Sequence, residues 1–342
     1  MTEATTPPDA TSTVVRASFL AARVPGVAAP WDTIHAKVHY PAVFSGDDAE
    51  RLSGDVAVDQ AHTPLPVVIF LNGINVGPEA YGWLAQRVAA AGCAVVTFSW
   101  VTELFPGQYG ISCGLDVGAI TPDTYGTRPS ANAVAPLLAA LAEANAGSGP
   151  LAGALDLDRV ALGGHSAGAT IAYENASPDW FTGLRCAFGY GGHTMASTVL
   201  GWPEDTLLEM PGGVPILVMG GTRDGVMASS ADRYGTDGHR RDPVERTFDD
   251  AIPDDGFPAH LAIIEGANHF GVGHPDDPTA ARGFLDLDAI GDPAVHRRHI
   301  GDLVVAFLQR HLLEAGDGGE GGADEDLDTL LTRAWLARSA TR

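Results

Sequence analysis

Apolar residues along this chain fall into short runs of strand length, separated by stretches of helical spacing. Pro66–Leu71 (PVVIFL) and Cys93–Trp100 (CAVVTFSW) are continuous apolar runs, the pattern of strands buried on both faces. Between them, Glu79–Ala91 carries its apolar residues at helical intervals. The alternation continues with a helix over Ala131–Ala144, a strand over Arg159–Leu162 and a helix over Ala167–Glu174. Further strands are predicted at Leu184–Phe188, Val214–Met219 and His260–Ile264, and a long closing helix at Val295–Leu313. This order predicts an α/β fold with a mostly parallel central sheet and helices on both faces. Ahead of it, Val14–Leu20 and Ile34–Tyr40 are β-rich and expected to pair antiparallel, followed by a polar loop over Ala42–Thr63.

The pattern also sets the domain boundaries. Residues 1–12 are rich in Thr, Pro and Ala and are expected to be disordered. Residues 13–314 form one domain without internal repeats. Residues 315–326 read as an acidic, glycine-rich linker, since Glu314–Asp328 holds seven acids, five glycines and no base. Beyond it, Leu327, Leu330, Leu331 and Trp335 recur at helical spacing and predict an amphipathic helix over 327–342 that docks on the body or on a partner subunit.

Composition narrows the function classes. The 342 residues carry a net charge of −23. Such a polyanion is repelled by nucleic acid and by anionic membrane surfaces, so neither is expected as a partner. The three cysteines, Cys93, Cys113 and Cys186, cannot all pair and match no zinc-ligand spacing, which points to a reducing compartment and no metal. Met1–Ala10 is acidic and proline-bearing rather than basic and then apolar, and no apolar stretch approaches the ~20 residues that span a bilayer. A soluble, cytoplasmic protein without an integral membrane segment is the expectation.

In a parallel sheet the working groups gather at the carboxyl ends of the strands. The nucleophile pattern G-x-S-x-G occurs twice, as Gly164-His165-Ser166-Ala167-Gly168 and as Gly110-Ile111-Ser112-Cys113-Gly114. Only Ser166 directly follows a predicted strand and opens a helix, the strand–turn–helix setting that lifts the hydroxyl into a site. Asp224 lies just past Val214–Met219, and His269 just past His260–Ile264. A serine needs a base, and the base needs an orienting acid. Ser166, Asp224 and His269 therefore form a candidate catalytic set, in the chain order expected of α/β-hydrolases. Asp249, Asp250, Asp254 and Asp255 follow a helix-like stretch and are poorer acids; His260 and His274 sit less well as the base. For the oxyanion hole, the backbone N–H groups of Ala167 and of Ile74, in the turn Asn72-Gly73-Ile74-Asn75, are the candidates.

The run Val67–Trp100, together with the Ser166 elbow and the contexts of Asp224 and His269, resembles the α/β-hydrolase superfamily. The likeness is nearest to its chlorophyllase and dienelactone-hydrolase-like branch, which includes cutinase-type polyester hydrolases and platelet-activating-factor acetylhydrolases. It covers roughly Pro66–His311. Two departures stand out. Family members usually carry His-Gly in the oxyanion turn, where this chain has Asn72-Gly73, and dienelactone hydrolases proper use a cysteine where position 166 is serine.

The connection Val101–Pro129 is long and glycine-rich, and is expected to wall or cover the pocket. Tyr190–Trp202 is a second apolar segment at a strand end. Asn72, Trp83, Trp100, Tyr109, His193 and Phe270 are candidate pocket residues. Asn175-Ala176-Ser177 is formally a glycosylation sequon, discounted for want of a secretory signal. The expected activity is hydrolysis of a small-molecule or lipid-like carboxylic ester without cofactor or metal. A thioesterase or acyltransferase with the same three residues is the alternative, and a non-catalytic binding protein on the same scaffold the more distant one.

Overall fold

The structure, a computed structural model, describes residues 13–105, 107–231, 241–280, 282–313 and 323–342. The N-terminal stretch expected to be disordered and residues 314–322 of the acidic linker lie outside the described residues.

The chain forms an α/β protein around a nine-stranded, mostly parallel mixed sheet. Its strands are β1 (Thr13–Arg23), β2 (Thr33–Val43), β3 (Leu65–Leu71), β4 (Ala94–Ser99), β7 (Leu155–His165), β8 (Leu184–Tyr190), β9 (Ile216–Gly221), β10 (Ala259–Ile264) and β11 (Leu336–Thr341). A separate hairpin, β5 (Val101–Phe105) and β6 (Gln108–Ile111), lies between β4 and the next helix. The order across the sheet is β1-β2-β4-β3-β7-β8-β9-β10-β11. Pairing is parallel from β4 through β10, and antiparallel where β1, β2 and β11 add at the two edges. This arrangement is consistent with an α/β-hydrolase-like fold.

Side chains of a strand alternate between faces, and β3 shows what that does here. Val67, Ile69 and Leu71 enter one apolar core with helices Val134–Ala146 and Ala167–Glu174, while Val68 and Phe70 enter the other with helices Gly82–Ala90 and Pro293–His311. All seven residues of β3 are buried, as a strand covered on both faces must be. Register brings the carboxyl ends together: Leu71 pairs with Gly164, His165 with Tyr190, and Gly221 with Ile264. The loops carrying Ile74, Ser166, His193, Asp224 and His269 therefore emerge along one edge. No helix among the described residues is long and apolar enough to cross a membrane.

One expectation fails. In place of an amphipathic helix over 327–342, there is a single helical turn, Leu327–Leu330, followed by β11. Leu327, Leu330 and Leu331 do dock on the body, and Trp335 stacks on His299 at 4.0 Å. The chain then extends because β10 would otherwise leave a row of unpaired backbone groups, which β11 takes up from Leu336 to Thr341. Arg338 on β11 adds ion pairs to Glu245 and Asp249. Deleting Leu336–Arg342 is expected to cost roughly 3 kcal/mol of unfolding free energy through lost ladder bonds, and to promote association through the bared β10 edge. Arg338→Ala, whose partners are part-exposed, should cost less than about 1 kcal/mol. Urea denaturation with light scattering measures both.

Candidate active site

Strand β7 runs almost directly into helix Ala167–Glu174, with Ser166 the one residue between them. That sharp reversal holds Ser166 at φ 55°, ψ −124°, a conformation costing about 1–3 kcal/mol in a residue with a side chain. The flanking glycines let strand and helix approach closely enough to enforce it. A Cβ on Gly164 would lie 2.3 Å from the carbonyl carbon of Gly168, and one on Gly168 would lie 2.1 Å from the Leu71 oxygen. The Ser166 N–H donates to Tyr190 O at 2.9 Å, and its carbonyl accepts from Thr170 N at 3.1 Å. Ser166 lines a cavity of about 760 Å³. Ser112, in the other G-x-S-x-G match, is buried elsewhere and its Oγ accepts from Gly114 N at 2.9 Å.

Asp224 and His269 meet below the same cavity. His269 Nδ1 donates to Asp224 Oδ2 at 2.8 Å, both side chains being almost wholly buried. Asp224 Oδ1 accepts from Met227 N at 2.8 Å, which fixes the carboxylate. With Nδ1 committed to the acid, Nε2 is the nitrogen left to act as base. It is enclosed and has no hydrogen-bond partner among the described residues, and His269 lines the same cavity as Ser166. The rejected acids are placed elsewhere: Asp249 and Asp250 pair with Arg241 at the surface.

The backbone carrying His269 is held from three sides. Tyr190 Oη donates to Asn268 O at 2.7 Å. Asp286 accepts from His269 N at 3.1 Å, from Phe270 N at 2.9 Å and from Gly225 N at 3.1 Å, tying the His269 loop to the Asp224 loop. The third tie comes from the elbow. His165 Nε2 donates to His269 O at 3.1 Å, because a carbonyl can only accept. Burial drives the His165 pKa well below the usual histidine range, so the ring is neutral and its Nδ1 must accept. Tyr81 Oη supplies that proton at 2.8 Å and itself accepts from Gly73 N at 3.1 Å. A directed chain thus runs from the turn after β3, through the elbow, to the His269 peptide.

Both candidate oxyanion donors stand at this site. Ile74 and Ala167 line the cavity beside Ser166, and no hydrogen bond takes up either N–H among the described residues. Asn72 does not line the cavity. It is buried beneath the turn, its Nδ2 donating to Gly73 O, Val76 O and Ser112 O. Asn75, at φ 55°, clasps the β5–β6 hairpin: its N–H donates to Ile111 O and its Oδ1 accepts from Ile111 N, both at 2.9 Å.

The remaining candidates divide. Tyr109, His193 and Phe270 line the cavity, and Tyr109 stacks on Trp31 at 4.5 Å. Trp83 and Trp100 do not; their indole N–H groups brace Val272 O and Trp31 O. The long connection after β4 does contribute a wall, through Leu104, Gln108, Leu115, Val117 and Ile120. Asn175 is fully buried and saturated with hydrogen bonds, so its sequon is inaccessible. Sequence reasoning missed Tyr81, Asp286, Asn75 and Glu174, a buried acid on the cavity wall. Among the described residues, no cluster of three or more His, Cys, Asp or Glu could hold a metal ion. Compared with known proteins, the chain matches no family model and no curated protein.

Tyr81→Phe removes the donor to His165 and the acceptor of Gly73 at once, leaving two buried groups unpaired. It should lower unfolding free energy by roughly 3 kcal/mol in urea. Tyr125→Phe, losing a peripheral bond to Glu209 O, should cost less than about 1 kcal/mol.

Proposed function

We propose that this chain is a serine hydrolase of the α/β-hydrolase superfamily that cleaves carboxylic esters through an acyl-enzyme. The observation carrying this reading is the convergence on one cavity of Ser166 at a strained strand–helix turn, the Asp224-bound His269 and two backbone N–H groups without acceptors.

Each group has a role that its surroundings support. Ser166 Oγ attacks the ester carbonyl carbon while its proton passes to His269 Nε2. Asp224 holds the ring with Nε2 inward and stabilises the imidazolium that forms. The N–H groups of Ile74 and Ala167 donate to the oxygen as it becomes negative, an interaction stronger in the transition state than in the ground state. When the ester C–O bond breaks, His269 returns the proton to the leaving alcohol. Water then attacks the acyl-enzyme, giving its proton to His269; as the acyl–Oγ bond breaks, His269 passes that proton to Ser166 Oγ and the acid product is released. The cavity walls are mostly apolar, with Ile171, Leu200, Trp202, Leu208 and Met227 among them, which suits a lipid-like or other apolar ester.

Ser166→Ala should reduce p-nitrophenyl ester turnover at least about 10³-fold and abolish labelling by a fluorophosphonate. Residual turnover above that level, or labelling of the variant, would sink the assignment. Wild-type protein inert to both reagents would instead favour a binding scaffold.

A further inference from the structure

The cavity extends well beyond the proposed reaction centre. Ala167, Thr170, Ile171 and Glu174 all line it, spaced at i, i+3, i+4 and i+7, so it follows one face of the helix from the elbow to the helix's last residue. Ser166 and Glu174 are eight positions apart, about 12 Å along the axis. A substrate arm lying along this helix face would run from Ser166 toward Glu174.

Glu174 is 3% exposed, and its Oε2 is enclosed without a hydrogen-bond partner among the described residues. The fold does not lack the means to pair polar groups here, since the adjacent Asn175 uses Oδ1 and Nδ2 in four hydrogen bonds. A buried polar group left unpaired costs about 1–3 kcal/mol, so an unpaired carboxyl on the cavity wall is a site waiting for a partner. We propose that Glu174, as the neutral acid, donates a hydrogen bond to an oxygen on the substrate's arm. The enzyme would thereby select esters carrying a carbonyl, ether or hydroxyl oxygen at that distance. This rests on the ester-hydrolase reading and adds to it a substrate class.

The neutral form follows from the surroundings. Burial alone pushes the Glu174 carboxyl up to about 8, so it holds its proton at neutral pH and loses it as pH rises through that value. The titratable groups that feel its charge are Cys113, pushed up to about 12, and Tyr125, raised further still; both stay neutral over that range. Elsewhere on the wall are His193, held at about 4, Arg282 and His269. A change in His269 affects all esters alike and cancels from a ratio of substrates. A neutral acid in apolar walls suits a neutral oxygen, whereas an ammonium group would require a buried ion pair with both ions desolvated.

The test compares p-nitrophenyl esters whose acyl chains lengthen stepwise and end in methyl or methoxy, with a matching series varied in the alcohol arm. At one length in one arm, wild-type kcat/KM should favour the methoxy ester by about tenfold, the worth of one buried neutral hydrogen bond. The preference should vanish in Glu174→Leu, persist in Glu174→Gln, which still donates, and fade in the wild type as pH passes about 8. Short esters hydrolysed with no such preference in wild type, or the same preference in Glu174→Leu, overturn the proposal and leave the hydrolase reading intact. A preference for ammonium-ended arms that grows with pH overturns it in favour of a cation site. Failure to hydrolyse any ester overturns both.

Discussion

The site depends on one buried chain of hydrogen bonds, from Gly73 N–H through Tyr81 and His165 to His269 O. Its direction is forced at both ends, because a backbone N–H can only donate and a carbonyl can only accept. Nothing between them can reverse without leaving a group unpaired in a dry interior, where that costs most. The chain joins three loops that emerge from three different strands. It sits directly beside all three working positions: Gly73 precedes Ile74, His165 precedes Ser166, and the last acceptor is the His269 peptide itself. A shift in any one loop is therefore opposed by the other two, which keeps Ser166, His269 and Ile74, the proposed nucleophile, base and oxyanion donor, in register.

Around this chain, local strain is held by close packing. Ser166 occupies an unfavourable φ because Gly164 and Gly168 let the helix press against β7 and β3 at distances no side chain would allow. The same closeness starts the helix at Ala167, so the N–H that the proposed oxyanion requires is the first orphan donor of a helix. Asp286 works in the same direction from the other side. By accepting from Gly225, His269 and Phe270, it fixes the spacing between the loop of the acid and the loop of the base. The Asp224–His269 distance is thus set largely by backbone held from outside the pair.

The sheet, and the position of Ser166, Asp224 and His269 just past its strand ends, were legible in the sequence for a common reason. Both depend on local signals: apolar runs of strand length, and chemically distinctive residues immediately after them. Ser166 was separable from Ser112 by the predicted strand–turn–helix around it; a strand, β6, does precede Ser112, and the helix that opens directly after Ser166 is what sets the two apart. Tyr81 and Asp286 were not legible, because each acts through contacts set by three-dimensional packing and neither sits in a motif. Asn72, Trp83 and Trp100 lie near the right strand ends in sequence but turn beneath the loops rather than into the cavity. The C-terminal segment misled for a different reason. Leu327, Leu330 and Leu331 do make a helical turn, but the edge of β10 captures the residues that follow, a tertiary demand that local periodicity does not express.

The strong negative charge of the chain also separates into two kinds of acid. At the surface, Asp249, Asp250, Glu245, Asp205 and Asp328 pair with arginines or face water, where ionisation costs little. Glu174 pairs with no arginine among the described residues, and burial raises its carboxyl so that it holds its proton at neutral pH. An acid retained in an apolar wall is unfavourable for stability, because leucine would fill similar space without an unpaired oxygen. Asp224, by contrast, is a buried acid with its partners in place, accepting from His269 Nδ1 and Met227 N. Glu174 differs in having no hydrogen-bond partner for Oε2 among the described residues, on the wall of the cavity that Ser166 also lines. A partner supplied by the substrate accounts for both its burial and its want of bonds, which packing alone does not.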